Sequence, residues 1–174
     1  WDEKGGGCFF SGAKNEQLIA QTKENYDGAT PSGNSVALLN ILRLGRMTGN
    51  LDLEKIAEQI IKTFGETINQ HPSGYTQFMC ALDFALGPTR EIVIAGEPDQ
   101  KDTKQILQEI GKRFLPRKVL LLHPSKDRSI EKIAQFIKEQ LSIEGKATAY
   151  ICENYACNAP TNDINKIIQL LEGQ

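Results

Sequence analysis

At Arg90 the hydrophobic pattern of this chain changes period, and a fold must accommodate both halves. Before it, apolar residues recur every three or four positions over long stretches, the spacing of helices. After it, short runs of continuous apolar residues alternate with helix-length amphipathic stretches. Residues 91–95, 118–122 and 147–152 read as strands, the first two rich in Ile, Val and Leu and bounded by Gly96-Glu97-Pro98 and His123-Pro124-Ser125. Between and after them, helices are predicted over about 101–114, about 129–141 and around Ile164, Ile167, Ile168 and Leu171. Strands apolar on both faces, each followed by a helix, predict a small three-stranded parallel α/β segment with right-handed crossovers.

The first half predicts three helices of two kinds. Over 35–48, Val36, Leu38, Leu39, Ile41, Leu42, Leu44 and Met47 leave only Asn40, Arg43 and Arg46 as a narrow polar stripe. The helix over about 51–69 has one apolar face of Leu53, Ile56, Ile60, Phe64 and Ile68, with Glu54, Lys55, Glu58, Lys62 and Glu66 opposite. The helix over 73–86 is again apolar around most of its girth, and Gly87-Pro88 ends it. An inner, outer, inner order fits concentric layers of helices, a ring that three helices alone do not close. The expected division is therefore 1–88, helical, and 89–174, α/β. Residues 1–25 offer a triple-glycine loop, the aromatic pair Phe9-Phe10 and a short strand at Leu18-Ile19-Ala20.

Charge and cysteine usage narrow the function classes. A formal net charge of −2 removes the electrostatic case for nucleic acid or an anionic membrane as partner. No apolar run reaches the roughly 18 residues of a membrane span, and no stretch reads as a signal peptide. Four cysteines in 174 residues do not make a disulfide scaffold, and a reducing, cytoplasmic location is expected.

The richest polar stretch is Tyr26-Asp27-Gly28-Ala29-Thr30-Pro31-Ser32-Gly33-Asn34-Ser35, running straight into an apolar helix. Ser32, Asn34 or Ser35 can cap that helix. Asp27 can act as an acid or base or hydrogen-bond a polyol, Tyr26 can stack on a sugar face, and Ser32 and Asn34 can bind substrate. Equally, Asp27 can order its own turn. Glycosidase chemistry needs a second carboxylate, for which Asp2 and Glu3 are the candidates. Elsewhere the signals are thin. The turn Ala95-Gly96-Glu97-Pro98-Asp99 stands where nucleotides bind in parallel sheets, but it has one glycine and two acids, so it reads as a structural turn. Cys152 and Cys157 form a C-x4-C pair that could hold a metal or cycle as a dithiol, although structural thiols are the plainer reading. His71 and His123 each precede proline and receive no role. No cofactor and no metal is assigned.

Together these residues resemble a known family. Tyr26-Asp-Gly-Ala-Thr-Pro-Ser-Gly-Asn-Ser-Val36 is similar to a signature of the spermatogenesis-associated protein 20 family of thioredoxin-domain-containing proteins. Gly6-Gly7-Cys8-Phe9-Phe10, Asn40-Ile41-Leu42-Arg43-Leu44 and Ala149-Tyr150-Ile151-Cys152 with Cys157 and Pro160-Thr161 resemble its other segments. The resemblance implies a C-terminal fragment: the last part of an α/α toroid similar to six-hairpin glycosidases and sugar epimerases, then a small α/β segment. The toroid similarity implies a carbohydrate as ligand, and the polar loop running into a buried helix makes Asp27 the candidate catalytic residue and Tyr26, Ser32 and Asn34 the candidate substrate-binding residues. The alternative is a non-catalytic scaffold working with a thioredoxin-like domain absent from this chain. Helices left uncovered by the missing ring would bind the remainder of the protein or a second copy.

Overall fold

A computed structural model describes residues 1–12 and 21–173; the strand expected at Leu18-Ile19-Ala20 lies outside them. The described residues form two compact units, Trp1–Gly45 with Asn50–Leu86, and Arg46–Gly49 with Gly87–Gln174.

The first unit is helical: α1 (Gly33–Thr48, whose last turn groups with the second unit), α2 (Leu51–Gln70) and α3 (Thr76–Leu86). The amphipathic pattern of α2 is realised directly. Ala57, Ile60, Phe64 and Ile68 are buried, each about one turn from the next on a single face. Asn50 caps its N-terminus by accepting the Asp52 N–H at 2.9 Å. This face packs with Leu38 of α1 and with Tyr75, Phe78 and Ala81 to form one core. The other two helices are less enclosed than their composition predicts. On α1, Val36 and Leu44 are exposed, and on α3 Met79 and Leu86 are exposed.

The second unit is built on a four-stranded sheet of order β2-β1-β3-β4, with β1 Arg90–Ala95, β2 Lys118–His123, β3 Thr148–Glu153 and β4 Ala156–Cys157. On one face α4 (Lys101–Gly111) and α5 (Ile164–Glu172) pack Ile106, Ile110, Ile167 and Leu171 onto Ile92, Ile94 and Ile151. On the other, Val93 and Leu121 meet Ala134, Ile137 and Met47.

This architecture corrects the expected fold class. Five helices and a mixed sheet are present among the described residues, not the end of an α/α toroid followed by a three-stranded parallel segment. Only β1 and β2 run parallel; β1 pairs with β3 antiparallel, and β3 with β4 antiparallel. The reason lies in the connection from β2 to β3. The helix expected over 129–141 is replaced by two short 3-10 turns, Ser129–Lys132 and Gln135–Ile137. Between them Ala134 takes a non-helical backbone (φ −121°, ψ 71°) that interrupts any helix. Without a crossover helix to carry the chain back to the far end of the sheet, β3 enters from the opposite side.

Candidate functional site

The polar stretch 26–35 folds into a hydrogen-bonded knot within the first unit. Asp27 is 8% exposed, and both carboxylate oxygens are occupied by main-chain donors. Its Oδ1 accepts the Ser32 N–H at 2.8 Å, closing the turn. Its Oδ2 accepts the N–H groups of Gln77 at 2.9 Å and Phe78 at 3.0 Å, the unsatisfied first turn of α3. The Asp27 N–H itself donates to the Gly74 carbonyl at 2.9 Å. One carboxylate thus ties the entrance of α1 to the entrance of α3, and the positive end of the α3 dipole favours its charge.

Ser32 caps α1. Its Oγ accepts the Ser35 N–H at 3.1 Å and donates to Ser35 Oγ at 2.8 Å. Asn34, 3% exposed, reaches back to the N-terminal segment: Oδ1 accepts the Cys8 N–H at 2.7 Å, and Nδ2 donates to the carbonyls of Cys8 at 3.0 Å and Glu24 at 2.7 Å. Gly7 (φ 79°) lies so close that an added Cβ would sit 3.0 Å from the Phe64 ring and 3.4 Å from Asn34 Oδ1. Tyr26 is the outward member, 64% exposed, with its ring edge-on to Tyr75 at 6.0 Å between centroids.

The structure therefore brings Asp27, Ser32 and Asn34 together as buried donors and acceptors facing backbone, with Tyr26 on the surface above them. A general acid or base must offer an oxygen to substrate, and those of Asp27 are engaged by three N–H groups. Asp2, named as a second carboxylate, pairs with Lys23 at 2.6 Å. That hydrogen bond first, and the Gly5 and Lys4 N–H groups next, bring its carboxyl down to about 2.

The second unit carries features that the sequence did not single out. A cleft of about 430 Å³ is lined by Arg90, Arg113, Phe114, Arg117 and Lys118 among others. Three of these cations satisfy carbonyls: Arg90 donates to Leu171 near the end of α5, Arg117 to Gly87, and Arg113 to Glu109 at 2.6 Å. Arg113 also pairs with Glu172 at 3.0 Å. The cluster thus serves helix ends, as cations at C-termini do. His123, given no role by the sequence, is 2% exposed at the end of β2. Its Nδ1 lies 2.8 Å from the Gln140 carbonyl and its Nε2 2.8 Å from Glu131 Oε1, so it pins the 3-10 connection to the sheet. Burial pushes the Glu131 carboxyl up, but hydrogen bonds from His123 and Arg128 outweigh it and hold it below the usual range. No group of three or more His, Cys, Asp or Glu among the described residues could hold a metal ion. No described helix is long and apolar enough to cross a membrane.

Cys152 and Cys157, read as a thiol pair, are disulfide-bonded across the β3–β4 hairpin, where they stand directly opposite one another. Beside them Glu91, 4% exposed, pairs with Arg46 at 3.0 Å.

The chain matches no family model and no solved structure. It is 35% identical over 173 residues, 98% of its length, to spermatogenesis-associated protein 20 of Rattus norvegicus and of Homo sapiens. It is 24% identical over 168 residues to an uncharacterized protein of Caenorhabditis elegans. In each case it spans 22% of the relative's length. The resemblance read from residues 26–36 is thus supported along nearly the whole chain, which is consistent with a fragment of the spermatogenesis-associated protein 20 family.

Proposed function

We propose that this segment, homologous to about a fifth of spermatogenesis-associated protein 20, is a non-catalytic structural module that presents surfaces to the rest of a longer polypeptide. The observation that supports this reading is the fate of the polar stretch 26–35. Asp27 and Asn34 each make three side-chain hydrogen bonds, every one to a backbone group. Side chains spent in this way hold elements together and have little capacity left for a substrate. Val36, Leu44, Met79 and Leu86, exposed on α1 and α3, provide apolar contact area for a covering segment.

The competing assignment, a sugar-binding or sugar-modifying role with Asp27 at its centre, rests on the family resemblance. Titration calorimetry with a panel of mono- and oligosaccharides, run on the parent chain and on Asp27→Ala, separates the two. The module reading expects no saturable heat from either protein and a lowered melting temperature for the variant. Saturable binding by the parent, lost in a variant that is still folded, overturns it.

A further inference from the structure

The β3–β4 hairpin turns on two residues, Asn154 (φ 48°) and Tyr155 (φ 67°), both in the left-handed region. A two-residue hairpin loop of type I′ has that backbone at both positions, and Asn-Gly is the sequence that adopts it freely. A tyrosine in the second position is unfavourable, so something must hold it. Three sets of contacts do. The Asn154 N–H donates to the Thr89 carbonyl at 3.0 Å, and Asn154 Oδ1 accepts the Thr89 N–H at 3.2 Å. The Tyr155 N–H donates to Glu91 Oε2 at 3.2 Å, and the Tyr155 ring lies 4.2 Å from the Arg46 guanidinium. The third is covalent, the bond between Cys152 and Cys157 one residue pair further along the ladder. Tyr155 thus sits beside the part-buried Arg46–Glu91 pair, on a loop the disulfide closes.

The two cysteines differ in exposure. Cys152 is 6% exposed and Cys157 lies on the exposed β4. We propose that Cys152–Cys157 is a redox-active site whose reaction partner is a dithiol, and that its reduction releases Tyr155 from the Arg46–Glu91 pair. In the first step a thiolate of the dithiol attacks Cys157 Sγ. An intermolecular S–S bond forms, the Cys152–Cys157 bond breaks, and Cys152 Sγ leaves with the electron pair and takes a proton from water. In the second step the remaining thiol of the partner, deprotonated, attacks its own mixed-disulfide sulfur. Cys157 leaves as a thiolate and is protonated, and the partner departs as a disulfide. Two electrons and two protons pass from the partner to the hairpin, and the exchange is reversible. Freed of its cross-link, the loop loses the constraint that offsets the left-handed tyrosine.

Dithiothreitol serves as the probe. The chain is incubated over a series of reduced-to-oxidised ratios, alkylated, and digested so that Cys152 and Cys157 are scored apart from the free thiols of Cys8 and Cys80. Amide exchange is followed in parallel. The expected result is joint alkylation of Cys152 and Cys157 while the amides of β1 and β2 stay protected, with protection of Asn154 and Tyr155 falling by about tenfold or more. In Tyr155→Gly, whose backbone suits the turn, the same reduction should cost much less protection. The proposal is overturned if the pair is alkylated only when the β1 and β2 amides also open. It is overturned equally if loop protection is the same in both redox states, or if Tyr155→Gly responds as the parent does.

Discussion

A single carboxylate illustrates how residue-level contacts decide what this chain is built for. Asp27 is read from sequence as a turn former or an acid, and both readings are local. Its partners at Gln77 and Phe78 lie 50 and 51 residues away and carry no signal, because any residue has a backbone N–H. Asp27→Ala strands three main-chain donors, at Ser32, Gln77 and Phe78, and should destabilise the chain by about 2–3 kcal/mol in urea unfolding. Asp2 gives a prediction in pH. Its carboxyl sits at about 2 in the folded chain, below the ordinary 3.8, so the charged form is favoured by folding. Its stabilising effect is complete above the ordinary value and is lost as the pH falls from about 4 through about 2. A carboxyl NMR titration should report that midpoint, and Asp2→Asn should remove this component of the acid sensitivity. Arg46 is the third case. Removing it in Arg46→Ala leaves Glu91 buried beside no guanidinium, and a loss of about 3 kcal/mol is expected by the same unfolding measurement.

Among elements, legibility follows how far each is determined by its own residues. In α2 an apolar face, an Asn cap and charges opposite agree, and the observed Leu51–Gln70 differs from the expected span by one residue. The β1 and β2 strands are equally plain. Residues 129–141 are not, because a helical spacing is present but long-range contacts override it. His123 holds Gln140 and Glu131, Arg128 donates to the Lys138 carbonyl at 3.1 Å, and Ala134 and Ile137 are drawn beneath the sheet. The turns leave Ile137 fully buried and Ile133 62% exposed. Ile137→Ala should therefore cost about 2–4 kcal/mol, and Ile133→Ala well under about 1, in denaturant unfolding. Similar losses at the two sites would indicate that the segment is a helix after all. The direction of β3 was hidden for the same reason, since a parallel reading depends on the crossover helix that does not form.

At the scale of the whole chain, the division into two units predicts how it can be cut. The cores on both faces of the sheet draw their residues from 87–174 and from Met47, and Arg46 supplies the partner of Glu91. Residues 87–174 expressed alone should give dispersed amide spectra and a cooperative transition, at lower denaturant than in the intact chain because they lack the Met47 and Arg46 side chains. A fragment 87–174 without dispersed resonances would contradict this division. The sheet itself has a further consequence. The margin beyond β3 is taken up by β4 and by the Ala149–Thr161 bridge, while β2 stands last in the order on the opposite side. Among the described residues the two edges are then unequal, six residues of β2 against two of β4, and strand addition between copies is favoured through β2. Two molecules joined there would present only their short β4 edges outward, which offer little ladder for further growth and disfavour extension into a fibril.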